Sequence, residues 1–110
     1  MVVDKEGELA IVFQENTSLE KFLEELKQEY ASLKHNNLII NLISFSNLSV
    51  EDVLRFQELS DRHRAAKKSF VMVTEKVSYD ELPESLVVVP TLQEARDLIE
   101  MEEIERDLEL

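Results

Sequence analysis

An α/β domain, layered in the α+β manner, is what this sequence predicts: a mixed sheet of four to five strands, parallel at its centre, with helices mainly on one face. Two observations carry that expectation. Three apolar runs, around Leu38–Ile43, Phe70–Val73 and Leu86–Val89, are too uniform to face water. Amphipathic helical stretches separate them, and strand-like and helix-like segments alternate with no linker, repeat or low-complexity tract. The 110 residues suit one domain, spanning 1–110.

Val2-Val3 and Glu8 to Phe13 read as two strands, joined across Asp4-Lys5-Glu6-Gly7 by a hairpin turn in which Gly7 supplies positive φ. Leu9, Ile11 and Phe13 alternate with Glu8, Ala10 and Gln14, which predicts a half-buried strand with one wetter face. Thr17 and Glu20 stand in capping-box register before a helix reaching about Leu33. Leu19, Phe22, Leu23, Leu26, Tyr30 and Leu33 form its single apolar stripe. Glu20, Lys21, Glu24, Glu25, Gln28 and Glu29 lie off the stripe and read as a solvated back. His35-Asn36-Asn37 ends this helix, with Asn able to take the left-handed conformation.

The chain is organised around Asn37 to Leu54, NLIINLISFSNLSVEDVL, an apolar strand that enters a polar turn and then a helix. Ser49 can cap that helix, with Asp52 three residues on. In α/β proteins sites are built at such junctions, at the carboxyl ends of strands. Ser44, Ser46, Asn47, Ser49, Glu51, Asp52 and Arg55 stand at or just beyond this junction and are the candidate site residues, which the resemblance described below makes partner-binding. The helix carries Val53, Leu54, Phe56 and Leu59, falters at Gln57-Glu58, which suggests a bend, and runs to about Ala66. Its end gathers Arg62, His63, Arg64, Lys67 and Lys68. Cations there complement the helix macrodipole; the other reading is an electropositive docking surface for an acidic protein. Ser78 to Leu82 predicts one capped helical turn.

Pro90-Thr91 opens the last helix, about 91–108, with Thr91 and Glu94 in capping-box register and Leu92, Ala95, Leu98 and Ile99 as its core stripe. Residues 100–110 hold six acidic residues and one arginine, yet Met101, Ile104 and Leu108 keep an i, i+3, i+7 spacing. That seam is expected to be covered, either by the domain's own sheet and first helix or by a partner. The basic cluster Arg62, Arg64, Lys67 and Lys68 of a second copy has the complementary charge. A homodimer of this kind would become a monomer, with a modest fall in stability, on deletion of Met101 to Leu110.

Composition narrows the function classes. The net charge of −12 opposes binding to nucleic acid or anionic lipid. The chain has no cysteine, which removes disulfides, thiol catalysis and cysteine-ligated zinc. Its single glycine cannot build a phosphate-cradling loop, and two histidines without ligand spacing do not suggest a metal site. No cofactor is expected. The N-terminus shows neither a basic n-region nor a long apolar stretch, so the expected location is cytoplasmic. Asp80, Glu81 and Glu84 cluster in a loop without a base–nucleophile pair, and Tyr79 and His63 stand isolated, so no enzyme is expected.

The element order, and the stretches LIINLISFSNLSVEDVL, RHRAAKKSFVMV and VVVPTLQEARDLIEMEEIERDL, resemble the STAS domain of bacterial anti-sigma factor antagonists over nearly the whole chain. The last stretch resembles small free-standing STAS-like proteins, some carried under a ribonuclease Z label; that activity needs histidine-rich zinc ligands, which two isolated histidines cannot supply. The resemblance implies a protein partner, an anti-sigma factor or a kinase-like protein, and a phosphorylated serine in an Asp-Ser-Ser-Gly motif at a helix start. Here Ser49, Val50, Glu51 and Asp52 fall on that motif, and Asn41 falls on the aspartate of the Asp-Leu-Ser that ends the family's preceding strand. The phosphorylated position is then Val50, which has no hydroxyl, and the glycine is gone; a one-residue slip would place Ser49 there, but Ser49 reads better as the helix N-cap. The resemblance thus implies a non-enzymatic interaction module whose switch is lost or replaced. The alternative, from another class, is an assembly subunit that homodimerises through the last helix.

Overall fold

The apolar runs pair side by side in a computed structural model that describes residues 1–13 and 17–109. Chain order is β1 (Val2–Glu6), β2 (Leu9–Phe13), α1 (Leu19–Leu33), β3 (Asn37–Asn41), α2 (Val50–Leu54), α3 (Gln57–Ala65), β4 (Phe70–Val73), a 3-10 turn (Tyr79–Glu81), β5 (Val87–Val89) and α4 (Leu92–Leu108). The five strands lie in sequence order, β1 antiparallel to β2 and every later pair parallel. When the order advances in one direction, a constant crossover hand puts every connection on the same face. Phe22, Leu26, Val53, Phe56 and Leu59 accordingly join Ala10, Val12, Leu38, Ile40, Phe70, Met72 and Val88 in one core. Among the described elements, α4 does not connect two strands, so that rule does not bind it. It covers the opposite face, setting Ala95 and Ile99 on Ile11, Ile39, Val71 and Val73.

This second layer corrects the reading of β2. Ala10, Ile11 and Val12 are all buried, because β1 and β3 flank the strand and α1 and α4 cover its two faces; Gln14 lies outside the described residues. The first strand also extends through Asp4, Lys5 and Glu6, leaving a two-residue turn at Gly7-Glu8 with Gly7 at φ +59°. Charged residues are tolerated there because β1 is an edge strand facing water. Glu6 is held by Arg96 of α4 at 2.6 Å, and that guanidinium keeps its carboxyl below the usual range.

The cap of α1 is Ser18, whose Oγ accepts the Lys21 N–H at 3.2 Å; Thr17 and Glu20 do not form the expected box. At the other end the chain turns without a left-handed Asn. Among the described residues Lys67 is the one non-glycine with positive φ, 65°. It ends α3 in a Schellman motif, with the Lys67 N–H on the Arg64 carbonyl and the Lys68 N–H on the His63 carbonyl. The expected bend is a break: α2 stops at Leu54, and α3 starts at Gln57 with buried Phe56 at its N-cap.

His63 belongs to the core. It is fully buried, its Nε2–H donates to the Asn36 carbonyl at 2.7 Å, and its Nδ1 accepts the Tyr30 hydroxyl at 2.7 Å. Both ring nitrogens are satisfied in the neutral form. Burial pushes the pKa down from 6.5, which the Asn36 hydrogen bond opposes and the nearby Lys68, Arg64 and Arg62 charges reinforce. A depressed folded-state value means the contribution is complete above about pH 6.5. On acidification the unfolded chain gains a proton that the folded one refuses until its own lower pKa is reached. Stability should then fall by up to about 1.4 kcal/mol per pH unit. Urea melts at pH 7.5, 6.5 and 5.5 should show a steeper loss for the native chain than for His63→Gln; equal slopes would refute this.

A polar clasp holds the end of α4 against the amino ends of β3 and β4. Glu102 takes hydrogen bonds from Arg64 and from the Ser69 hydroxyl. Asn37, almost fully buried, donates to Glu103 at 2.7 Å while its carbonyl oxygen accepts the Ser69 N–H at 2.9 Å. Arg106 turns inward and donates to Asn37 and Ser69 at 3.3 and 3.1 Å. Apolar burial on α4 stops at Ile99, and this network takes over from it.

Candidate partner-binding site

The loop between β3 and α2 is built by local hydrogen bonds and two apolar anchors. The Asn41 side chain accepts the Ile43 N–H at 3.0 Å, and the Phe45 N–H reaches the Leu42 carbonyl at 3.0 Å. The Phe45 ring lies 5.8 Å from that of Phe22, and Leu48 is buried in the same core. With Phe45 and Leu48 pinned inward, Ser44, Ser46, Asn47 and Ser49 are left outward and exposed. A cleft of about 270 Å³ lies here, lined by Ser44, Ser46, Asn47 and Asp52 together with Thr17 and Leu19.

Ser49 and Asp52 make a reciprocal capping box. The Ser49 Oγ accepts the Asp52 N–H at 3.2 Å, and the Asp52 carboxylate accepts the Ser49 N–H at 3.0 Å. Glu51, in the first turn of α2, and Arg55, its C-cap, are exposed and are not among the cleft residues. The seven candidate residues therefore divide into a cleft wall (Ser44, Ser46, Asn47, Asp52), the helix cap Ser49 and an exposed charged pair (Glu51, Arg55). The sequence places Thr17 and Leu19 at the start of the first helix and not in the site. Parallel pairing of β2 with β3 brings the segment after β2 beside the segment after β3, and no local motif announces that. Ile43 also differs from expectation: β3 ends at Asn41, and Ile43 is 55% exposed on the loop. Leu54 is exposed on α2, so apolar surface accompanies the polar cluster.

The second set of residues is spread apart. Arg64 is bound to Glu102 of its own chain at 3.3 Å, and Arg62 stacks over the Tyr30 ring at 4.4 Å. Lys67 is exposed and Lys68 partly so. Met101, Ile104 and Leu108 are 58%, 54% and 81% exposed, so the domain's own sheet and first helix do not cover them. Clasp residues on the opposite side of α4 claim the contact with the body instead. Asp80, Glu81 and Glu84 are exposed, Glu81 accepting the Ser78 N–H at 3.1 Å as the cap of the 3-10 turn. Among the described residues no group of three His, Cys, Asp or Glu is placed to hold a metal. Among them, too, no helix is long and apolar enough to cross a membrane.

No family model and no curated protein matches the sequence. Among solved structures, a serine-to-glutamate variant of RsbS from Moorella thermoacetica is similar, with a TM-score of 0.59 at 15% identity. The match covers 89% of this chain and 95% of that one. The likeness shows that this chain shares the fold of that structure, the STAS fold expected from the sequence.

Proposed function

We propose that this chain is a non-enzymatic protein-interaction module of bacterial regulation, working in the cytoplasm in the manner of an anti-sigma factor antagonist but without the serine phospho-switch. Its partner, an anti-sigma factor or a kinase-like protein, binds the surface made by Ser44, Ser46, Asn47, Ser49, Glu51, Asp52 and Arg55. The capping box carries this reading. Ser49 is committed to the α2 cap, and Val50 beside it has no hydroxyl. A phosphate on Ser49 would replace the hydroxyl that caps α2 and would stand beside Asp52 and Glu51, whose like charges oppose it. Glu51 and Asp52 instead supply fixed negative charge in the first turn of α2. The similarity to RsbS supports the kind of partner, and the charge of −12 speaks against nucleic acid or an anionic membrane.

Ser49→Ala should cost about 1 kcal/mol of stability through loss of the cap and leave partner binding intact. Glu51→Lys with Arg55→Glu should abolish binding at near-native stability. The measurement is retention of an anti-sigma factor or kinase-like protein from bacterial lysate, with proteins identified by mass spectrometry and melts run on each variant. Binding lost in Ser49→Ala at unchanged stability would restore a serine-dependent mechanism. Binding unchanged in the charge-reversed variant would place the partner elsewhere.

A further inference from the structure

We infer that the outer face of the last two turns of α4 is one half of a heterotypic coiled-coil contact, whose other half is a partner helix carrying Lys or Arg beside an apolar stripe. Met101, Ile104 and Leu108 repeat at the 3-then-4 spacing of a coiled-coil a–d–a seam. At about 100° per residue they lie together on the side of α4 opposite Ile99, Glu103 and Arg106. Those residues face the sheet or the clasp, so the seam points straight out into water.

The flanking positions identify the occupant. In this register Glu100, Glu105 and Asp107 take the e and g places beside the seam, where charge sets partner choice. All three are exposed acids. Arg106 is the one base among residues 100–109, and it is turned inward onto Asn37 and Ser69. A second copy would bring acid to acid at every flanking position, which disfavours homotypic pairing; a basic helix meets each with an opposite charge. The clasp matters for the same reason. It fixes the helix end without using the seam, so the ridge is already ordered when a partner arrives. The ridge lies at the amino ends of β3 and β4, opposite the β3–α2 loop, so both surfaces could be occupied together.

The test uses the full chain and a fluorescent helical peptide of about three heptads, with Leu at a and d and Lys at e and g. A sister peptide with Glu at e and g is the control. Because a chain of this charge attracts any cationic peptide, the deciding variant is Ile104→Ser with Leu108→Ser, which keeps every charge. Saturable binding of the Lys peptide, weakened about tenfold or more in the double variant and absent for the Glu peptide, supports the contact. Equal binding to native and variant chains reduces it to general charge attraction and overturns it. So does no binding of the Lys peptide. Sedimentation showing a native dimer that the double variant abolishes would overturn the basic partner in favour of a second copy. Circular dichroism checks that the variant is folded. Deleting Met101 to Leu110 would be a poorer test, since it also removes Glu102, Glu103 and Arg106 from the clasp.

Discussion

Phe22→Ala should lower the free energy of unfolding by about 3–5 kcal/mol, a large share of the stability of a domain this size. The ring is fully buried, 5.8 Å from Phe45 of the loop and 6.4 Å from Phe56 at the α2–α3 break. Truncation leaves a cavity that neither sheet nor helix can close, and it frees the loop anchor as well. Two readouts should therefore move together: the urea midpoint falls, and amide exchange over Ser44–Leu48 accelerates beyond the global change. Exchange in the loop that follows the global change alone would show that Phe45 does not depend on Phe22 for its position.

Asn37→Ala should cost about 2–3 kcal/mol, more than an exposed asparagine would, because it orphans buried groups on both sides. The Ser69 N–H loses its acceptor, Glu103 loses a donor, and Arg106 loses one of its two partners in the clasp. The local consequence is at the end of α4, where no buried apolar residue beyond Ile99 substitutes for the lost bonds. Amides of Met101 to Leu108 should exchange faster while those of Leu92 to Ile99 keep their native order of protection. A uniform change along α4 would mean that the helix is held as one piece by its apolar half. The same variant should weaken the basic-helix contact, since the ridge would no longer be ordered in advance.

What the sequence determined by itself was periodic or local. Uniform apolar runs such as Phe70–Val73 can be satisfied only in a strand covered on both faces, and the stripe from Leu19 to Leu33 admits one helix face. The Ser49–Asp52 box and the Thr91 cap were legible because each is closed within three residues of chain. Tertiary structure decided everything that joins distant segments. Ala10 in β2 looked like the wetter side of an alternating strand until α1 covered it, and Ile43 looked buried until β3 ended two residues before it. Thr17 and Leu19 reach the cleft through strand pairing alone. His63 and Arg64 read as members of one basic cluster, yet neighbours on a helix point about 100° apart. One is a neutral core residue between Tyr30 and Asn36, and the other is bound by Glu102. The exposed seam on α4 belongs in part to both: its spacing was written in the sequence, but that it faces water depends on Asn37 and Ser69, more than thirty residues away, holding the other side of the helix.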